Sequence, residues 1–241
     1  MKNTSNSFST GGGGQSFEYR VQAMFLLTLL IDGFSPILDT KVNRICFQAH
    51  RKSASGGVNT DDILVEAGND SFKRRLLCQI KRDITISCND KEFREVMTAA
   101  WNDFNSPSFN KKHDRIVLIT GLIAKDSINA IRLLHEKAIH MDTAEAFFVD
   151  IEETKHVGQY VRNKKDVIIS CLKAANNDEE ISKETIWEFF KSFILLVFDV
   201  DYQTSVNMML TTTLISLKAN HSATDVWARL VDYAARCDLA G

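Results

Sequence analysis

Proline is almost missing from this chain, with two residues in 241, and the sequence has no long apolar run. The longest such runs, residues 23–30 (broken by Thr28) and 193–198, fall far short of the ~20 residues a membrane-spanning helix needs. The N-terminus also lacks the charged, apolar and cleavable regions of a secretory signal, so the expected location is the cytoplasm. The five cysteines, Cys46, Cys78, Cys88, Cys171 and Cys237, form no Cys-x-x-Cys pair, and six histidines are equally scattered. This spacing excludes a zinc ribbon and argues for free thiols, with Cys46 and Cys78 as small core residues in apolar runs. The glycine run 11–14 is not followed by the Lys-Ser/Thr pair of a Walker A loop.

What is present is the composition of an ordinary globular protein, 44% hydrophobic and 25% charged. The net charge of -2 gives no bulk attraction to nucleic acid, but its distribution is uneven. Residues 1–120 carry 16 basic and 13 acidic side chains, and the remainder 13 and 18. The basic surplus includes Arg51-Lys52, Lys73-Arg74-Arg75, Lys81-Arg82 and Lys111-Lys112, each able to meet phosphates.

Residues 1–15, rich in Asn, Ser, Thr and Gly, read as a flexible leader. A helix follows over 16–30, with Ser16 as its cap and Gly33 closing it. Residues 42–50 read as a strand, residues 91–104 as a helix through Phe93, Val96, Met97, Ala100, Trp101 and Phe104, and residues 115–121 as a strand buried on both faces.

Between the first strand and the second helix lie Thr60-Asp61-Asp62-Ile63-Leu64-Val65-Glu66 and Leu76-Leu77-Cys78-Gln79-Ile80-Lys81-Arg82. The intervening Gly68-Asn69-Asp70-Ser71 supplies turn residues, so the pair reads as a hairpin. A turn centred near Asp70 and Ser71 sets Asp62 opposite Gln79 to Lys81. Strand periodicity then points Gln79 and Lys81 to one face. Acid, amide and amine are brought together.

An acid followed by a Gln-x-Lys strand resembles the active-site hairpin of PD-(D/E)XK nucleases, in the variant with Gln in place of the second acid. The order from residue 16 to residue 121, helix, three strands, helix, strand, is that of the αβββαβ core. With Gly-Gly-x-x-Phe-Glu-x-x-Val at 13–21 and Asp-Asp-Ile at 61–63, residues 11–140 resemble the double-stranded-DNA endonuclease domain of bacterial anti-phage effectors. That domain occurs in CBASS effectors and at the N-terminus of Avs-type STAND proteins.

The resemblance implies an α/β, restriction-endonuclease-like core over 16–142 that hydrolyses DNA phosphodiesters with Mg2+, or Mn2+ in its place. It implies Asp62, Gln79 and the Ile80 carbonyl as metal ligands, with Asp61 and Glu18 as further candidates. Of the tandem pair, Asp62 directly precedes the apolar strand and is taken as the principal ligand. Lys81 would orient the attacking water or stabilise transition-state charge, and Glu18 would hold a second metal or position Lys81. Lys73, Arg74, Arg75, Arg82, Arg51 and Lys52 are the candidate DNA contacts.

Helical spacing recurs over 127–140, 157–175, 183–192, 202–219 and 224–239, and residues 143–241 read as a mainly helical support or interaction region. Residues 194–200 fit either a short strand or a helix end. Because one active site cuts one strand, double-strand cleavage implies a homo-oligomer, and restraint of the activity implies a sensor in a partner protein or further domain. The alternatives to an active nuclease are an inert nuclease fold that binds DNA and a helical assembly module.

Overall fold

The structure is a computed structural model and describes residues 13–47, 58–60, 62–69, 72–201 and 205–239. It is a mixed α/β protein. In chain order the elements are α1 (Gly13–Leu30), β1 (Phe34–Ser35), β2 (Thr40–Phe47), β3 (Ile63–Asn69), β4 (Phe72–Lys81), α2 (Lys91–Phe104), β5 (Arg115–Thr120), α3 (Lys125–His140), α4 (Ala144–Glu153), α5 (Gln159–Ala175), α6 (Lys183–Ser192), β6 (Phe193–Val197), α7 (Val206–Lys218) and α8 (Ala223–Leu239). The strands form one sheet in sequence order, antiparallel from β1 to β4 and parallel from β4 through β5 to β6.

Strand alternation divides the core into two layers. Leu76, Cys78 and Ile80 of β4, with Val117 and Ile119 of β5, pack against Phe17 and Val21 of α1. Leu77, Ile116 and Leu118 point the other way, into a cluster built by α2 to α6 with Phe104, Phe147, Phe189, Phe190 and Phe193 at its centre. Thus β5 is buried on both faces, as its uninterrupted apolar sequence requires. Beyond α1, Ala23 and Leu27 meet Ile215 of α7 and Leu230 of α8.

Helix α2 starts where Asp90 accepts a hydrogen bond from Phe93 N at 2.9 Å, and it buries the apolar positions read from its spacing. The start of α1 differs from expectation. The helix begins at Gly13, so Ser16 lies within the helix and is not its cap. Packing of Phe17 and Val21 on the sheet outweighs the weak helix propensity of glycine there. At its other end Asp32 takes the left-handed conformation (φ 53°) and Gly33 N donates to Thr28 O at 2.8 Å. A Cβ on Gly33 would sit 2.7 Å from that oxygen, which explains the glycine.

Strand β1 and helix α4 had no counterpart in the sequence reading, and residues 193–197 resolve as strand. That strand matters for organisation. After four helices the chain returns to the sheet, and β6 pairs with β5 from Ile116↔Phe193 to Thr120↔Val197. Helices α3 and α5 pack on each other and α5 on α2, so residues beyond 143 share the core of those before it.

Candidate active site

The β3–β4 hairpin runs in register from Ile63↔Cys78 to Asn69↔Phe72, which sets Asp62 opposite Gln79 at the end where β3 begins. Gln79 is 9% exposed, and its Nε2 donates to Asp62 Oδ2 at 2.6 Å. The backbone N–H of Ile80 donates to the same oxygen at 2.5 Å. Lys81, half-buried, ends the strand beside Thr120 of β5. Alternation with Cys78 and Ile80 puts Gln79 and Lys81 on the α2 side of the sheet, and alternation with Leu64 puts Asp62 there too.

These contacts define a set of oxygen donors. In a strand the N–H and C=O of one residue point to the same edge. The Ile80 N–H faces Asp62, so its carbonyl also faces the side on which β3 has ended. A carboxylate, an amide oxygen available after rotation of Gln79, and a backbone carbonyl therefore converge. Such a hard, oxygen-only set suits Mg2+ with waters completing its shell. Its charge is low: among the described residues there is no group of three or more His, Cys, Asp or Glu able to hold a metal. The field of Asp62 is nonetheless felt nearby, since the Cys78 thiol is pushed far above its ordinary range by burial and then by the Asp62 charge.

Asp62 owes its position to a residue that the sequence reading did not single out. Asp103, on the buried face of α2 and 2% exposed, accepts from Asn59 N at 2.7 Å, Asn59 Nδ2 at 2.9 Å and Thr60 N at 2.6 Å. This pins the segment entering β3. An acid at an inward-facing position of an otherwise apolar helix face was the available signal.

The remaining candidates are dispersed. Glu18 belongs to α1, which packs on the Cys78 and Ile80 face of the sheet, and its Oε1 accepts from Gln22 Nε2 at 3.0 Å. The basic triplet lies near the hairpin turn, six to eight strand positions from Lys81, or about 20–26 Å. There Lys73 is exposed, whereas Arg74 stacks 4.5 Å from the Phe72 ring centroid and donates to Leu38 O at 2.5 Å. Arg75 is bound into the fold: its Nη2 and Nε lie 2.6 and 3.0 Å from Oδ2 of Asp114, which is 2% exposed. Arg82 reaches over Gly121 to Asp201 (Nη2–Oδ2 2.9 Å), which also pairs with Arg20 of α1 at 3.3 Å. Arg51, Lys52 and Asp61 lie outside the described residues.

No family model, no curated protein and no solved structure matches the chain.

Proposed function

We propose that this protein is a metal-dependent double-stranded DNA endonuclease of the PD-(D/E)XK type, acting as an effector in bacterial anti-phage defence. The observation that carries this reading is the cross-strand cluster in which Asp62 Oδ2 accepts from both Gln79 and Ile80, with Lys81 next on the same strand face. The order α1, β2, β3, β4, α2, β5, with a two-residue β1 inserted, supports it.

Asp62, Gln79 and the Ile80 carbonyl would hold Mg2+, or Mn2+ in its place. When bound, the ion supplies a Lewis acid for the phosphoryl oxygen and a lowered pKa for the attacking water. Gln79 must first exchange its donated N–H for its carbonyl oxygen, which frees Asp62 Oδ2 from that donor. The Lys81 ammonium, a compact cation with three donors, orients the water or stabilises charge growing on the phosphate oxygens. Exposed Lys73 would contact phosphate without reading sequence.

Self-association is part of the proposal, because one site cuts one strand. Helix α7 offers a surface for it: Val206, Met209, Leu210, Leu214 and Leu217 are exposed on the side away from buried Met208, Thr211 and Ile215. Control by a sensor, in a partner protein or a further domain, completes the reading.

Purified protein incubated with supercoiled plasmid should cut it with Mg2+ and not with chelator. Lys81→Ala and Asp62→Ala should each lose roughly 10²–10³-fold in rate with the fold intact. Equal cutting by wild type and Lys81→Ala sinks the assignment. The single carboxylate among the described donors favours one alternative, an inert nuclease fold that binds DNA; binding without cleavage at any Mg2+ or Mn2+ concentration would select it. Double-strand cutting should rise more steeply than linearly with protein concentration, and Leu217→Lys should remove that steepness. Linear dependence in a strictly monomeric protein overturns the oligomer.

A further inference from the structure

Cys88 and Cys171, 83 positions apart in sequence, are neighbours in space: Cys171 Sγ donates to Cys88 Sγ at 3.6 Å. Cys88 lies in the segment that leaves β4 just after Lys81 and leads into α2. Cys171 lies on α5. The two sulfurs are not equivalent. Cys171 is 4% exposed, whereas Cys88 is half-buried and donates to Val167 O of the same helix at 3.4 Å. The segment is held on α5 and α2 on both sides of the thiol. Lys164 Nζ donates to Ile86 O at 2.7 Å and Arg94 Nη1 to Cys88 O at 2.5 Å. The contact between the sulfurs is thus built by the fold, and a bond needs a further closure of about 1.5 Å.

We propose that Cys88 and Cys171 form a reversible oxidation site that hydrogen peroxide converts to an intramolecular disulfide. In the first step the Cys88 sulfur attacks peroxide. An S–O bond forms, the O–O bond breaks, and the departing hydroxide takes up a proton as water. In the second the Cys171 sulfur attacks Cys88. The S–S bond forms, the S–O bond breaks, and hydroxide leaves as water with the Cys171 proton. Two thiols lose two electrons in all, and one peroxide becomes two waters. The roles follow from exposure: peroxide reaches Cys88 first, while Cys171 is buried, and burial and then the hydrogen bond to Cys88 push its thiol up to about 12. Any thiol reductant reverses the bridge by exchange.

The bridge would fasten the segment following the candidate site to α5 without touching Asp62, Gln79 or Lys81, and its test does not depend on DNA cleavage. The full chain is titrated with hydrogen peroxide, alkylated, and measured by intact mass and by non-reducing peptide mapping. Wild type should lose about 2 Da and two alkylatable thiols, yield the Cys88–Cys171 peptide pair, and recover both thiols with dithiothreitol. Closing so long a loop should raise the melting temperature of the oxidised form by about 5–15 °C. Cys171→Ala should instead leave Cys88 as a sulfenic acid that dimedone traps, and Cys88→Ala should leave Cys171 unmodified at the same dose. Should Cys171→Ala unfold, the wild-type peptide map decides alone. Overoxidation of Cys88 with no crosslink, or a crosslink to Cys46, Cys78 or Cys237, overturns the proposal.

Discussion

Replacing Asp103 with alanine tests whether the candidate site is held from behind by α2. Asp103 gathers three donors from the two residues that precede Asp61 and Asp62. A hydrogen bond to a charged group contributes roughly 1.5–3 kcal/mol, and a buried donor left unmatched costs roughly 1–3 kcal/mol. The three bonds do not simply add. Asn59 is exposed, so water can replace Asp103 at its backbone and side-chain N–H groups. Thr60 is 1% exposed, so its N–H is stranded. The cost is therefore dominated by one bond, and about 2–3 kcal/mol is expected, or a fall in melting temperature of about 5–10 °C at this chain length. Asp103→Asn keeps one accepting oxygen and should lose about half as much. Urea unfolding followed by circular dichroism measures both, and plasmid cleavage should fall in parallel because the backbone leading to Asp62 is no longer pinned. A melting temperature within about 1 °C of wild type for Asp103→Ala would refute the reasoning.

The basic triplet should divide by function. Lys73→Glu should weaken binding to all DNA sequences and reduce the slope of log affinity against log salt by about 1, with the melting temperature unchanged. Arg75→Ala should instead destabilise by about 3 kcal/mol, since it leaves the buried Asp114 carboxylate without its cation and with only backbone donors; paired thermal melts and salt titrations separate the two. His135 should make stability depend on pH. Its Nδ1 lies 3.0 Å from Phe190 O, and burial holds its pKa below the ordinary 6.5. The unfolded chain therefore binds this proton first. Its penalty is absent well above pH 6.5, grows as pH falls through 6.5, and is complete below the folded pKa. Urea midpoints should drop as pH falls through 6.5, and His135→Gln should flatten that part of the slope.

The elements that were legible in the sequence are those governed by local periodicity. Helix α2 was readable to its end residues, because its apolar positions recur at helical spacing. The hairpin register was readable to within two residues because antiparallel partners have a constant sum: a turn near Asp70 and Ser71 sets Asp62 opposite Gln79 to Lys81, and the observed Ile63↔Cys78 pairing narrows this to Gln79. The juxtaposition of Asp62, Gln79 and Lys81 on one sheet face followed from the same arithmetic. The limits of α1 were less readable, since the helix runs back through Gly13 and Gly14, residues of weak helix propensity.

What could not be read were the partners of the charged residues. The run Lys73-Arg74-Arg75 looks like a single phosphate-binding patch, but alternation along β4 sends successive side chains to different surroundings, and the carboxylate of Asp114 waits for Arg75 at the start of the neighbouring strand. Lys81-Arg82 divides in the same way, with Lys81 on the α2 side and Arg82 crossing Gly121 to Asp201. Both pairings depend on strands brought together by crossovers, β4 with β5 through α2 and β5 with β6 through four helices. A cluster of like charges in sequence is thus dispersed by the two-residue period of the strand carrying it. The same period gathers Asp62, Gln79 and Lys81, because those residues are spaced by two or face each other across the ladder. The sheet that concentrates the candidate chemistry at one end of β4 therefore also withdraws Arg75 and Arg82 into ion pairs with Asp114 and Asp201, leaving Lys73 as the member of the triplet directed to solvent.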